Sequence, residues 1–175
     1  LVCEWPGHGG LGQVGLAFQV KTTALIFHGE RKLSLEESPS PSPGRGQVRV
    51  KSLLSAISAG SEALVYQGSL PEEIFFPEEV TALRGQSRYP LRFGYSLVGE
   101  VVDLGPEVEP QWLGRRVFAF HPHQTDFVAP LADLRVLPPD LPPERAVFLP
   151  NLESAVNFVQ DGQPLLGERV MVLGQ

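Results

Sequence analysis

The stretch YSLVGEVVDLG, Tyr95–Gly105, is apolar through Leu97, Val98, Val101, Val102 and Leu104, with one glycine inside it. Such a run predicts a strand. A glycine within a strand marks a bulge or a close backbone approach, and Gly99 is read that way. Shorter runs flank it on both sides. RRVFAF and QTDFVAP follow as two short strands. LRVLPPDLPPERAVFL gives a strand, a proline-rich turn and a first helical turn. Pro142 and Pro143 sit before Glu144, where a helix start tolerates them. Upstream, QVRVKSLLSAI alternates with Val48 and Val50 on one face, TTALIF reads as a strand, and KLSLEE alternates Leu33 and Leu35 with polar neighbours. Between them, SPSPSPGRG (38–46) is a loop, because proline removes donors from any ladder.

Two helices are expected. SAGSEALVYQG (58–68) reads as a turn and a short helix ending at Gly68. LESAVNFVQDG (152–162) places Leu152, Ala155, Val156 and Val159 at helical spacing. Residues 69–92 read as an irregular excursion. ERVMVLG (168–174) is apolar without alternation, as in a strand covered on both faces of a parallel sheet. Short antiparallel-type strands followed by a helix and a buried strand predict a mainly β, barrel-like domain leading into an α/β domain.

Composition narrows the function. The chain has 175 residues, of which 17 Pro and 18 Gly make up about a fifth, which favours short strands and turns over long helices. The net charge is −6 and the pI about 5.2, and no Lys/Arg cluster offers the basic face that nucleic acid requires. No apolar run approaches the ~20 residues needed to span a bilayer. A single cysteine, Cys3, excludes an internal disulfide and any zinc site built from several cysteines, and fits a cytoplasmic setting.

GLGQVG (10–15) has the G-x-G-x-x-G spacing of a dinucleotide loop in Gly10, Gly12 and Gly15. That loop works when a buried strand delivers it to a helix N-terminus. LVCEWPGHG is a poor strand and LAFQVKTTALIF offers no capped helix. Residues 1–20 are therefore read as a leader, with upstream sequence ending before a start at Val20 as the other option. ERVMVLGQ is the better strand for such a loop, with Gly174 as its first glycine.

From Thr22 onward the chain resembles the catalytic domain of the medium-chain dehydrogenase/reductase superfamily, the zinc-type alcohol dehydrogenases and their relatives. PSPGRGQVRVKSLLSAISAGSE, FGYSLVGEVVDLGPEVE, LGRRVFAF and GERVMVLG carry the likeness in order and spacing. ISAGSE is similar to the I-S-A-G-T-E of a subgroup that includes bacteriochlorophyllide-type dehydrogenases. The resemblance implies a GroES-like, partly open β-barrel with short helices over 21–149, running through 150–175 into the first strand of a truncated Rossmann domain. It implies NAD(P) as cofactor and a small-molecule substrate. A homodimer through the absent domain is possible, with neither nucleic acid nor membrane as partner.

The departures from the family pattern are informative. Where zinc-dependent members place a cysteine, this chain has Ser58. Where they place a histidine and a glutamate, it has Tyr95 and Ser96, and the third ligand falls around Pro150 and Asn151. None of these replaces a thiolate or imidazole on zinc, so no zinc is expected. The oxidoreductase implied is zinc-independent, moving hydride between a nicotinamide and a carbonyl, alcohol or activated alkene. The other reading is a non-enzymatic GroES-like binding or assembly module. Residues 1–175 alone are expected to be inactive and to show no micromolar binding of NADH or NADPH by isothermal titration.

The resemblance also assigns candidate residues, each weighed against a plainer role. Tyr95 faces the substrate as an oxyanion donor, or packs in the core. Ser58 and Ser61 approach the nicotinamide, or bond their own turn. Gly60, Glu62, Glu153 and Gly174 fall to the cofactor, Glu62 alternatively favouring a helix start and Asn151 serving as a cap. His121 and His123, spaced i, i+2 around Pro122, line the substrate cleft, pair on a metal, or are ordinary loop histidines.

Overall fold

A computed structural model describes residues 2–4, 20–69 and 88–173. The GLGQVG motif and Gly174 lie outside the described residues. In chain order the elements are β1 (Val2–Glu4), β2 (Lys21–Gly29), β3 (Lys32–Pro39), β4 (Gln47–Ala56), α1 (Ser61–Tyr66), β5 (Leu91–Arg92), β6 (Leu97–Leu104), β7 (Arg116–Ala119), β8 (Asp126–Pro130), β9 (Leu134–Val136), α2 (Pro143–Ala146) and α3 (Leu149–Gly162). All described strand pairs are antiparallel. A six-stranded sheet runs β1–β4–β6–β7–β9, with β8 also on β4, and curls into a half-barrel. A three-stranded sheet runs β3–β2–β5.

The half-barrel buries both faces of its central strands. Inside lie Val48, Val50, Leu97, Val101, Val117 and Phe127. Leu54, Val98 and Phe118 point the other way and are covered by Leu137, Ala146 and Val147 from the segment around α2. Each fully buried aliphatic or aromatic side chain contributes ~1.5–3 kcal/mol, so this two-sided core dominates the fold.

Gly99 shows the close backbone approach, and the bulge lies on the strand opposite it. A Cβ there would sit 2.5 Å from Val50 Cγ1 and 2.6 Å from the Lys51 carbonyl oxygen. Opposite it, the register of β4 shifts: Ser52 pairs with Gly99 but Leu54 pairs with Val98, leaving Leu53 as the extra residue of a bulge. A one-residue slip exchanges the faces of a strand. Val48, Val50 and Ser52 share the inner face before the bulge. Beyond it, Leu54 turns outward and Ser55 turns inward, with no exposed surface.

Several expectations need correction. Val2–Glu4 is a strand paired with Leu54–Ala56, although LVCEWPGHG reads as a poor one. Three residues suffice, because a ladder needs only backbone groups. Leu33 and Leu35 alternate along β3 as expected, but they are exposed, on the outer strand of the small sheet. The run 168–173 is exposed and forms no strand, and among the described residues no strand lies beside it. The last helix begins at Leu149, three residues earlier than predicted, so Asn151 lies inside its first turn and Phe148 is the N-cap. None of α3 is buried.

Candidate functional site

The segment His121–Asp126 joins the two sheets. The Leu25 N–H donates to the His123 carbonyl at 3.0 Å, and the Thr125 N–H donates to Thr23 O at 2.9 Å, so one side is tied to β2. On the other side the Ser52 N–H of β4 donates to Thr125 O at 2.8 Å. Side chains reinforce the seam: Thr22 Oγ1 donates to Asp126 O at 2.7 Å, and Ser40 Oγ donates to the Asp126 carboxylate. Buried polar groups satisfied in this way fix one register and one geometry.

His123 hangs from this seam and is 3% exposed. Its Nδ1 lies 2.8 Å from Ser55 Oγ and its Nε2 3.1 Å from Glu62 Oε1. Glu62 is also 3% exposed, and its second oxygen accepts from the Ser58 N–H. Ser58 Oγ in turn accepts from the Ser61 N–H at 3.2 Å, at the start of α1. Bonds therefore run without a break from Ser55 through His123 and Glu62 to the Ser58–Ser61 turn. With Glu62 ionised, Nε2 must carry a proton to donate to it. The chain passes so close to the imidazole at Gly94 (φ +129°) that a Cβ there would lie 2.8 Å from the ring.

Beside this chain lies a cavity of about 210 Å³, lined by Leu25, Phe27, Ile57, Ser58 and Tyr66 together with Glu62 and His123. Phe27 also belongs to a cluster with Val65, Leu91 and Phe93, and Tyr95 packs against that cluster, meeting Phe93 edge-on at 6.5 Å between centroids. The Tyr95 ring is half-buried, and its hydroxyl makes no hydrogen bond to a described residue. The structure thus brings Ser58, Gly60, Ser61, Glu62 and His123 together, while Tyr95 packs on the adjoining Phe93 cluster and is not among the residues lining the cavity. Ser58 bonds its own turn, which is the plainer of its two roles. Glu62 and His123 spend their polar atoms inside the protein.

His121 and His123 do not form a pair. Pro122 between them is fully buried, and His121 stacks on Phe127 at 3.9 Å, lining a different cavity of about 480 Å³ with Arg92 and Asp126. Among the described residues, no three His, Cys, Asp or Glu side chains gather as metal ligands would. Loss of solvent lowers the His121 pKa from 6.5 to about 4, aided by the charges of Arg92 and His123 and opposed by a hydrogen bond to the Pro122 carbonyl. The folded state therefore binds this proton less readily than the unfolded one. Stability falls as pH drops from about 6.5 towards 4 and is unaffected by this group above that window. His121→Gln should flatten the decline in urea midpoint between pH 7 and pH 4.5; an unchanged slope would exclude His121 as its source.

The remaining candidates stand apart. Ser96 is buried and donates to the Val147 carbonyl, tying β6 to α2. Glu153 lies on the exposed face of α3 and makes no ion pair with a described residue. Sequence reading missed Ser55. A serine in the otherwise apolar LLSAI run was the available signal, since a buried hydroxyl needs a partner.

No protein-family model matches the chain. It is 38% identical over 88 residues to the 2-desacetyl-2-hydroxyethyl bacteriochlorophyllide A dehydrogenase of Cereibacter sphaeroides, covering 50% of this chain and 24% of that protein. It is 31% identical over 98 residues to the sorbitol dehydrogenase of Halalkalibacterium halodurans, covering 56% of this chain and 24% of that one. The matched part thus spans about a quarter of the length of these curated relatives. Its fold is shared with a short chain alcohol dehydrogenase from E. coli CFT073, solved in complex with the cofactor NADH. The TM-score is 0.64 and the identity 22%, over 82% of this chain and 46% of that one. Sequence matches to two dehydrogenases and this shared fold make the chain similar to members of the medium-chain dehydrogenase/reductase superfamily.

Proposed function

We propose that the chain is the substrate side of a zinc-independent NAD(P)-dependent oxidoreductase acting on a small carbonyl, alcohol or activated alkene. Residues 21–149 form the substrate domain in this reading, and 150–175 lead into the nucleotide-binding domain. A cytoplasmic setting belongs to the same proposal, as does a homodimer formed through the nucleotide-binding domain. The observation that carries it is the chemistry at the expected metal positions. Ser58 is absorbed in turn bonding, Pro150 and Asn151 begin a helix, and Tyr95 leaves its hydroxyl without a partner among the described residues.

When bound, a nicotinamide supplies or accepts hydride. The protein must then stabilise the oxygen on which charge develops. The Tyr95 O–H is the group for this, donating a hydrogen bond to the developing oxyanion of a carbonyl substrate. The turn at Gly60 and Ser61 suits an approaching cofactor: both are exposed, and a Cβ at Gly60 would meet nothing nearer than Ser58 Oγ at 3.8 Å. Glu62 supports that turn from beneath. Glu153 and Gly174 keep a cofactor role by resemblance alone.

Loss of one oxyanion donor costs about 10²–10³ in kcat. In the full-length protein, Tyr95→Phe should lower kcat by about a hundredfold on whichever aldehyde, ketone or quinone the wild type reduces, with KM for the nicotinamide unchanged. An unaltered kcat would remove Tyr95 from the chemistry.

A further inference from the structure

We propose that His123 is a positioning residue: gripping Ser55 of β4 with Nδ1 and Glu62 of α1 with Nε2, it sets the Ser58–Ser61 turn that receives the nicotinamide end of the cofactor. This rests on the function proposed above, in which that turn faces the cofactor. The burial of the partners is the first argument. Ser55, Glu62 and His123 are at most 3% exposed, and a carboxylate at that depth is costly unless each of its oxygens is held. Both are: one by the His123 imidazole and the other by the Ser58 N–H.

The second argument is the anchorage. His123 belongs to the seam, whose backbone bonds to β2 on one side and β4 on the other, so its ring is carried by a segment held on both sides. Gly94 passes against the ring and leaves it no room to swing in that direction. By contrast, α1 has six residues and no side-chain cap at Gly60, so it is too short to fix its own start. The turn is therefore held from below, through Glu62, by an element sixty-one residues away in sequence. A third argument is that the bulge at Leu53 turns Ser55 inward to complete the grip, which an unbroken strand would not do.

The test uses the full-length enzyme and steady-state kinetics with the wild type's preferred nicotinamide, at a temperature where circular dichroism shows every variant folded. His123→Leu should raise KM for the nicotinamide tenfold or more, with kcat within threefold of wild type. His123→Gln, whose amide can donate to Glu62 and accept from Ser55, should recover KM to within threefold. Should His123→Leu fail to fold, Ser55→Ala reads the same quantity through a KM rise of at least threefold. Variants that lose thermal stability but keep the wild-type KM would overturn the proposal and leave a purely structural network. A wild type that oxidises neither NADH nor NADPH with any carbonyl or quinone would instead overturn the function on which the proposal rests.

Discussion

Replacing His123 with leucine is expected to lower the free energy of unfolding by about 3–5 kcal/mol, the cost of stripping a buried charge of its partner. Glu62 would keep the Ser58 N–H but lose its imidazole while only 3% exposed. Ser55, fully buried, would lose its partner too. Leucine restores apolar volume but no donor, so packing cannot offset the loss. A urea titration at pH 7 measures it. A change below about 1 kcal/mol, the net worth of one ordinary hydrogen bond, would show that the network contributes little to the fold.

Gly99→Ala should cost nearly as much, about 3 kcal/mol, by overpacking the centre of the half-barrel. The added Cβ would meet Val50 Cγ1 at 2.5 Å, and that side chain is wholly buried with nowhere to turn. It would also meet the Lys51 carbonyl at 2.6 Å, which is backbone inside the β4–β6 ladder. Relief would require moving β4 from β6 at the point where Ser55 is placed for His123. Gly60→Ala is the control, since its Cβ finds ordinary contact at 3.8 Å and α-region φ and ψ of −86° and −77°. It should change stability by no more than about 0.5 kcal/mol. Thermal melts of the two variants compare them directly, and similar melting temperatures would refute the steric argument.

Strands whose side chains alternate were legible in the residues themselves. Val48 and Val50 read as one face of a strand, and both have zero exposure. Gly99 read as a bulge or a close approach; it is a close approach, and the bulge lies opposite it on β4. Short elements were not legible: Val2–Glu4 and Leu91–Arg92 hold three and two residues, too few for any period to show. ERVMVLG read as buried because apolarity is a statement about what a segment prefers, whereas burial needs a covering partner.

At the site, residue types were legible and their partners were not. Ser58, Glu62, Tyr95 and His123 all stood out as candidates. The pairing of His123 with Glu62 and Ser55 spans 61 and 68 residues, and no local pattern encodes it. Strict alternation would also have put Ser55 on the face opposite Val48 and Val50. Only the extra residue Leu53 brings it inward, and the alternation of β4 gives no sign of it. The two histidines around Pro122 invited a joint role, but the structure sends one ring to Phe127 and the other to Glu62.

The central proposal is that the site works without a metal, with the Tyr95 hydroxyl donating to the developing oxyanion. Elemental analysis of the active full-length protein tests this most directly, with turnover measured before and after exhaustive chelation. The account predicts zinc far below one atom per chain and turnover unchanged by the chelator. One zinc per chain, with activity lost on its removal and regained on its return, would contradict it.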